Sequence, residues 1–194
     1  MTNLYLSKVH FDWTIAQQPY CWHQQLWTLF GERPTASRDF LYRVEHMQIG
    51  VGARVLLQSA LPPQISATSS SLTLLASKAV NYQGVQPQQR LRFYLTANVV
   101  KKLQGNRIPL IKEAQKLNWL HRKLTPAAVL QDVHVRQSET RYFYKNATGA
   151  GKIVTSTFEG ILQVQHPQQF IQLITCGIGP AKAFGCGLLS VAPY

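Results

Sequence analysis

The feature that most restricts this chain is a two-residue alternation of apolar and polar side chains that begins at Leu4 and returns in the second half. Leu4-Tyr-Leu-Ser-Lys-Val-His-Phe11 reads as a strand with one buried face. Strand side chains repeat every two residues, so a slip of one position would carry the whole apolar set into solvent. Gln17-Gln18-Pro19 breaks the pattern, and Pro19 suits the first turn of a helix, where its missing N–H is not needed. Trp22, Leu26, Leu29 and Phe30 then recur at helical spacing and predict a core stripe, with Gly31 ending the helix. Phe40–Glu45, Ala53–Ser59 and Leu72–Lys78 read as further strands. Pro62-Pro63 and the Ser/Thr-rich residues 66–73 read as a loop or a short helix.

A polar, glycine-bearing stretch, Asn81–Gln89, predicts a linker, and a second pass follows it. Arg90–Ala97 alternates again, with Arg90 and Arg92 on one face and Leu91 and Phe93 on the other. Pro109 predicts the start of a helix running to Leu124, with Leu117 and Leu120 among its core positions. Val129–Arg136 and Arg141–Lys145 follow as strands, Asn146–Gly151 as a hairpin turn, and Lys152–Val164 as the returning strand. Pro167–Thr175 predicts a helix that delivers the chain into a glycine-rich stretch and a last strand. Two passes of β-α-β-β-α-β make this an α+β chain of tandem ferredoxin-like (RRM-like) domains, each with an antiparallel sheet, over residues 1–84 and 85–194.

A chain of 194 residues buries roughly 70% of its unfolded surface. Its 45% hydrophobic content, with only 14% charged residues, excludes a disordered chain. The charge is unevenly placed: 20 Lys and Arg against 8 Asp and Glu leave +12, of which residues 1–88 hold +2 and residues 89–194 hold +10. A polyanion is the expected partner, and nucleic acid rather than membrane, since no basic amphipathic helix of lipid-binding type stands out. Between Arg90 and Lys123 lie nine cations (Arg90, Arg92, Lys101, Lys102, Arg107, Lys112, Lys116, Arg122, Lys123) against the single acid Glu113. Lys112, Lys116 and Lys123 recur near helical spacing and predict one face along a phosphate backbone. Arg141, Lys145 and Lys152 flank the predicted hairpin. The base-stacking signature of ordinary RNA-recognition domains is missing, so hairpin RNA is expected rather than an extended strand. The three cysteines (Cys21, Cys176, Cys186) suggest neither a zinc site nor a disulfide framework. With no signal-peptide core in Met1–Trp13 and no apolar run of about 18 residues, a soluble cytoplasmic protein without a cofactor is expected.

Two stretches invite chemistry. Cys176–Pro193, CGIGPAKAFGCGLLSVAP, places Gly177, Gly179, Gly185 and Gly187 around the single cation Lys182. Glycines at this density let N–H groups converge on a phosphate or let another backbone approach closely. The spacing fits neither the dinucleotide fingerprint nor the nucleoside-triphosphate loop. His23 falls in the first turn of the predicted helix, with Tyr20 three positions earlier. A neutral imidazole there accepts a proton from a 2′-hydroxyl, and its protonated form donates one to a departing 5′-oxygen. Alternatively, His23 only fills space beside Trp27.

The glycine-rich stretch resembles the C-terminal loop of the CasE family, CRISPR endoribonucleases that mature guide RNA in type I-E systems. Tyr5-Leu-Ser-Lys-Val9, Tyr20-Cys-Trp-His23-Gln-Gln-Leu-Trp27, and Ile108–Lys112 running on to Trp119–Leu124 carry the same resemblance. It implies the doubled ferredoxin-like fold, catalytic roles for Tyr20 and His23, and a basic hairpin of the second domain entering the groove of a repeat stem-loop. It also implies retention of the mature guide RNA within Cascade alongside other subunits. Some relatives carry a lysine one turn beyond the histidine; this chain has Thr28 nearby instead, and Lys182 is the candidate to supply that cation. The eight carboxylates are scattered without a DxD or ExE cluster, which weakens a two-metal nuclease. The expectation is metal-independent cleavage at the 3′ base of the stem by the substrate's own 2′-hydroxyl, leaving a 2′,3′-cyclic phosphate. The competing class is a hairpin-binding ribonucleoprotein subunit that never cuts.

Overall fold

The computed structural model describes residues 3–31, 39–64, 71–145 and 149–194. The first pass comprises β1 (Leu4–Asp12), α1 (Trp13–Ala16), α2 (Trp22–Trp27) with a 3-10 turn at Thr28–Phe30, β2 (Phe40–Gln48), β3 (Gly52–Ser59) and β4 (Leu72–Val80). The second comprises β5 (Arg90–Ala97), β6 (Val100–Leu103), β7 (Asn106–Pro109), α3 (Glu113–Leu124), β8 (Ala128–Lys145), β9 (Gly149–Val164), α4 (Pro167–Cys176) and β10 (Leu189–Pro193). The sheets run β2-β3-β1-β4 and β10-β5-β9-β8. Numbering the long strands within each pass, both orders read 4-1-3-2, the antiparallel arrangement of the ferredoxin-like unit, so the fold read from the alternation stands. Residues 65–70, part of the predicted loop or short helix, and 146–148 of the hairpin turn lie outside the described residues.

Burial follows the periodicity. Arg90–Ala97 is a strand to the residue, with Leu91, Phe93 and Leu95 buried and Arg90, Arg92 and Tyr94 exposed between them. In the first pass Trp22, Leu26, Leu29 and Phe30 join Val9, Phe11, Tyr42, Val55 and Leu57 in one core. The helix expected from Pro19 to Gly31 is α2 with its 3-10 turn, starting at Trp22, and a short α1 that was not expected precedes it. Pro19 sits between them, and the indole Nε1 of Trp22 donates to the carbonyls of Ile15 and Ala16 at 3.1 and 3.2 Å. The Gln18 N–H also reaches the Ile15 carbonyl at 2.9 Å, so backbone and indole together close the end of α1.

Pro109 also takes a different place. It ends β7, which pairs with β6 in a small hairpin, and α3 starts later, at Glu113. Gln104 (φ 48°) and Gly105 (φ 81°) make the turn, the two positive φ angles that favour a tight hairpin. Gln-Gly is a weaker turn signal than Asn-Gly, which is why alternation alone passed over it. The two strands expected between Val129 and Lys145 are one continuous strand, β8. Its polar middle is held by pairing rather than burial: Ser138 and Ser156 hydroxyls lie 3.3 Å apart, and Thr155 donates to the Glu139 carbonyl.

The chain separates into two compact units. One contains Met1–Asn81 with Tyr142–Gly151 and Ala183–Gly185; the other contains Tyr82–Arg141, Lys152–Lys182 and Cys186–Tyr194. The hairpin end and the loop apex, placed by sequence order in the second domain, thus group with the first unit.

Candidate active site

In the first unit Trp22 and Leu26 turn into the core, and a helix advances about 100° per residue. His23, beside Trp22, therefore lands at the border of core and solvent and is half-buried. Tyr20 lies in the turn before α2 rather than on the helix. Its ring still meets that of His23 edge to face, with centroids 6.4 Å apart and planes at 85°. Phe143 stacks on Tyr20 at 6.3 Å and 14°, and Phe184 approaches it at 6.5 Å. Phe143 and Phe184 touch each other at 4.5 Å. Aromatic pairs at these separations prefer defined geometries, so three neighbouring rings fix the orientation of Tyr20.

Phe143 and Phe184 were not singled out by sequence reasoning. Phe143 sits on β8 between two exposed tyrosines, Tyr142 and Tyr144, and its own burial is the alternation expected of a strand. Gly151 makes room for it, since a Cβ there would overlap the Phe143 ring. Phe184 is carried by the apex of the glycine-rich stretch, where the Tyr42 hydroxyl donates to the Ala183 carbonyl at 2.6 Å and Gly185 packs against the Tyr42 ring. The aromatic triplet on β8 and the Ala-Phe-Gly within the glycine run were the available signals.

Of the two uses left open for the glycines, the structure shows close approach. Gly187 has φ 93°, and a Cβ there would come within 2.8 Å of the Ile178 carbonyl oxygen. Ile178 N–H donates to Gly187 O at 2.9 Å, Gly187 N–H to Thr96 O at 2.8 Å, and Gly177 N–H to Leu173 O at 2.9 Å. Gly179 lies against the Trp119 ring. Lys182, half-buried, donates from Nζ to the Cys176 carbonyl at 2.5 Å, completing the end of α4.

The cations divide into three kinds. Arg90, Arg92, Lys101, Lys102, Arg107, Lys112, Arg122, Lys123 and Lys152 are exposed. Lys102 and Arg107 stand opposite each other on β6 and β7, an arrangement that an anion would relieve. Arg90 stacks over the Tyr194 ring at 4.3 Å, and Arg141 is half-buried and paired with Glu139 at 3.3 Å. Lys116 corrects the expected helix face: it is buried and donates to Ser138 Oγ at 2.7 Å, while Lys112 precedes the helix as its N-cap. The side chain of Lys145 lies outside the described residues.

Among the described residues, Cys21, His10 and His134, considered as catalytic groups, have partners apart from the Tyr20–His23 pair. Cys21 Sγ faces Gln18 Oε1 at 3.5 Å. His10 and His134 each lie near one aspartate, Asp12 at 3.7 Å and Asp132 at 3.5 Å. Among the described residues no three His, Cys, Asp or Glu side chains gather as metal ligands, and no helix is long and apolar enough to cross a membrane. Burial and loss of hydration push the Cys186 thiol up to about 11.

Fold and site define a tandem ferredoxin-like protein with a basic second half and a Tyr–His pair set among aromatic rings. The family model for CRISPR associated protein matches residues 4–193, and the chain belongs to that family, in its CasE branch. The Cascade subunit CasE of Escherichia coli strain K12 is 42% identical over 203 residues, covering 98% of this chain and all of the relative. The CRISPR-associated endoribonuclease Cse3 of Thermus thermophilus is 30% identical over 194 residues, covering 90% of each. A Thermus thermophilus Cse3 structure bound to an RNA representing a pre-cleavage complex matches with a TM-score of 0.86 at 28% identity, covering 98% of this chain and all of that one.

Proposed function

We propose that this chain is an endoribonuclease that processes CRISPR repeat RNA and stays with its product as a subunit of a cytoplasmic Cascade-type complex. The observation that carries the reading is the edge contact between Tyr20 and a half-buried His23, in a chain 42% identical to a Cascade subunit. The exposed lysines and arginines bind the repeat stem through its phosphates. A-form RNA offers shape and backbone more than base edges, so they set affinity and register.

Cleavage is at the 3′ base of the stem. The upstream 2′-hydroxyl attacks the scissile phosphorus in line as the bond to the 5′-oxygen breaks. His23 accepts the hydroxyl proton in its neutral form or donates to the leaving 5′-oxygen in its protonated form, a contribution of about 10²–10⁴ in rate. Tyr20 orients the imidazole or the phosphate, and in-line positioning supplies the rest. The products are a 2′,3′-cyclic phosphate and a 5′-hydroxyl, with no metal in the step.

The test is incubation of the purified chain with an end-labelled repeat hairpin. Cleavage to a cyclic phosphate in EDTA, and none when the attacking 2′-hydroxyl is replaced by hydrogen, is expected. Cleavage that chelator abolishes would overturn the mechanism, and tight binding without any cleavage would leave a pure binding subunit.

A further inference from the structure

Beside the Tyr–His pair the first unit holds a recess of about 350 Å³ that the proposed chemistry does not use. Its walls include Tyr20, Phe143, Gln17, Gln24 and the two tyrosines that flank Phe143 on β8. We propose that this recess is a nucleobase subsite, holding one unpaired base of a nucleotide that adjoins the scissile phosphate. The proposal rests on the endoribonuclease reading and deepens it.

Four observations carry it. Among its described lining residues none bears a formal charge, in a chain of net charge +12. An uncharged recess in such a chain suits the neutral part of a nucleotide, not its phosphate. Tyr142 and Tyr144 are 67% and 79% exposed, large rings left in water on a strand whose alternate residue, Phe143, is buried. Rings so placed offer stacking faces, and base–aromatic stacking accepts any base because every base has a π-face. Gln17 and Gln24, both exposed at the rim, bring amides that donate and accept, matching the edge of an unpaired base. The volume is at the small end for ligand sites, enough for one base and too small for a duplex.

Position links the recess to the reaction. Tyr20 is one of its walls, and the same ring meets His23 at 6.4 Å. A base held against that wall places its adjoining phosphate toward the imidazole, converting a flexible unpaired nucleotide into an oriented one. Gln18, whose amide donates to the Thr14 carbonyl at 2.9 Å, stiffens the floor of the same turn.

The experiment uses the full chain and a repeat hairpin whose attacking 2′-hydroxyl is replaced by hydrogen, so that binding is read without cleavage. 2-Aminopurine is placed in turn on either side of the scissile phosphate, and a matching set carries an abasic residue there. One of the two positions should show quenched fluorescence on binding. Tyr144→Ala or Tyr142→Ala should relieve the quenching and weaken binding about tenfold, within the range for one stacked base. Tyr144→Phe should retain both effects. On the abasic RNA the alanine variants and the parent should bind alike.

Unchanged quenching in both alanine variants, or equal losses on intact and abasic RNA, overturns the subsite and leaves cleavage standing. The second pattern would mean that the tyrosines face a protein or the RNA backbone. Quenching that behaves as expected in a chain that never cuts intact hairpin overturns the nuclease reading and leaves the subsite. No binding of the hairpin at all overturns both.

Discussion

A half-buried imidazole can exchange protons with a substrate while the packing around it holds its direction. His23→Ala should therefore lower the single-turnover cleavage rate by about 10²–10⁴ while leaving hairpin affinity nearly intact. Single-turnover kinetics beside a binding isotherm check this, and equal losses in both would point to a folding defect. Cys186 shows the opposite environment, with a thiol held neutral by burial and pushed up to about 11 from an ordinary 9.0. Below pH 9 both folded and unfolded thiols are protonated and the site is neutral to stability changes. Between the two values the unfolded chain releases its proton and the folded one does not, so stability falls as pH rises, by about 2–3 kcal/mol. Denaturant melts from pH 8 to pH 11 should show that loss, and Cys186→Ala should flatten it. In the folded protein at pH 8 a maleimide should label the accessible Cys21 and Cys176 while sparing Cys186.

At the scale of elements, local signals succeeded where a segment's partner lay close in sequence or where one face was plainly apolar. Arg90–Ala97 was legible to the residue because burial on one side dictates its period. The break at Gln17–Pro19 was legible too, but α1 before it was not, because four residues are too few to show a helical period and the Trp22 indole that helps close it comes from α2. Lys116 was misread for a tertiary reason: helical spacing assigns its direction, but Ser138 on β8 decides that it is buried. Lys116→Met should thus leave the salt dependence of RNA binding unchanged, whereas Lys123→Ala should reduce its slope by a little under one unit. Isotherms across a salt series distinguish the two. The glycine-rich stretch depends on its backbone. Gly187→Ala adds a methyl group at φ 93° against the Ile178 carbonyl. It should destabilise the fold by about 1–3 kcal/mol, measured by denaturant unfolding.

Over the whole molecule the positive charge is concentrated, +10 of the +12 falling in residues 89–194. For a protein that holds RNA by its phosphates, the logarithm of affinity should fall linearly with the logarithm of salt, by about 0.7–0.9 per contact. A slope near zero would remove the electrostatic basis of binding. The two antiparallel sheets, the buried face of strands such as Arg90–Ala97 and the basic second half were determined by the residues in sequence, because periodicity and net charge are local sums over neighbouring positions. The rings that surround Tyr20, the burial of Lys116 and the use of the glycines for close packing were decided only by the tertiary structure. Each depends on which distant segments share space, and no spacing along the chain encodes that distance.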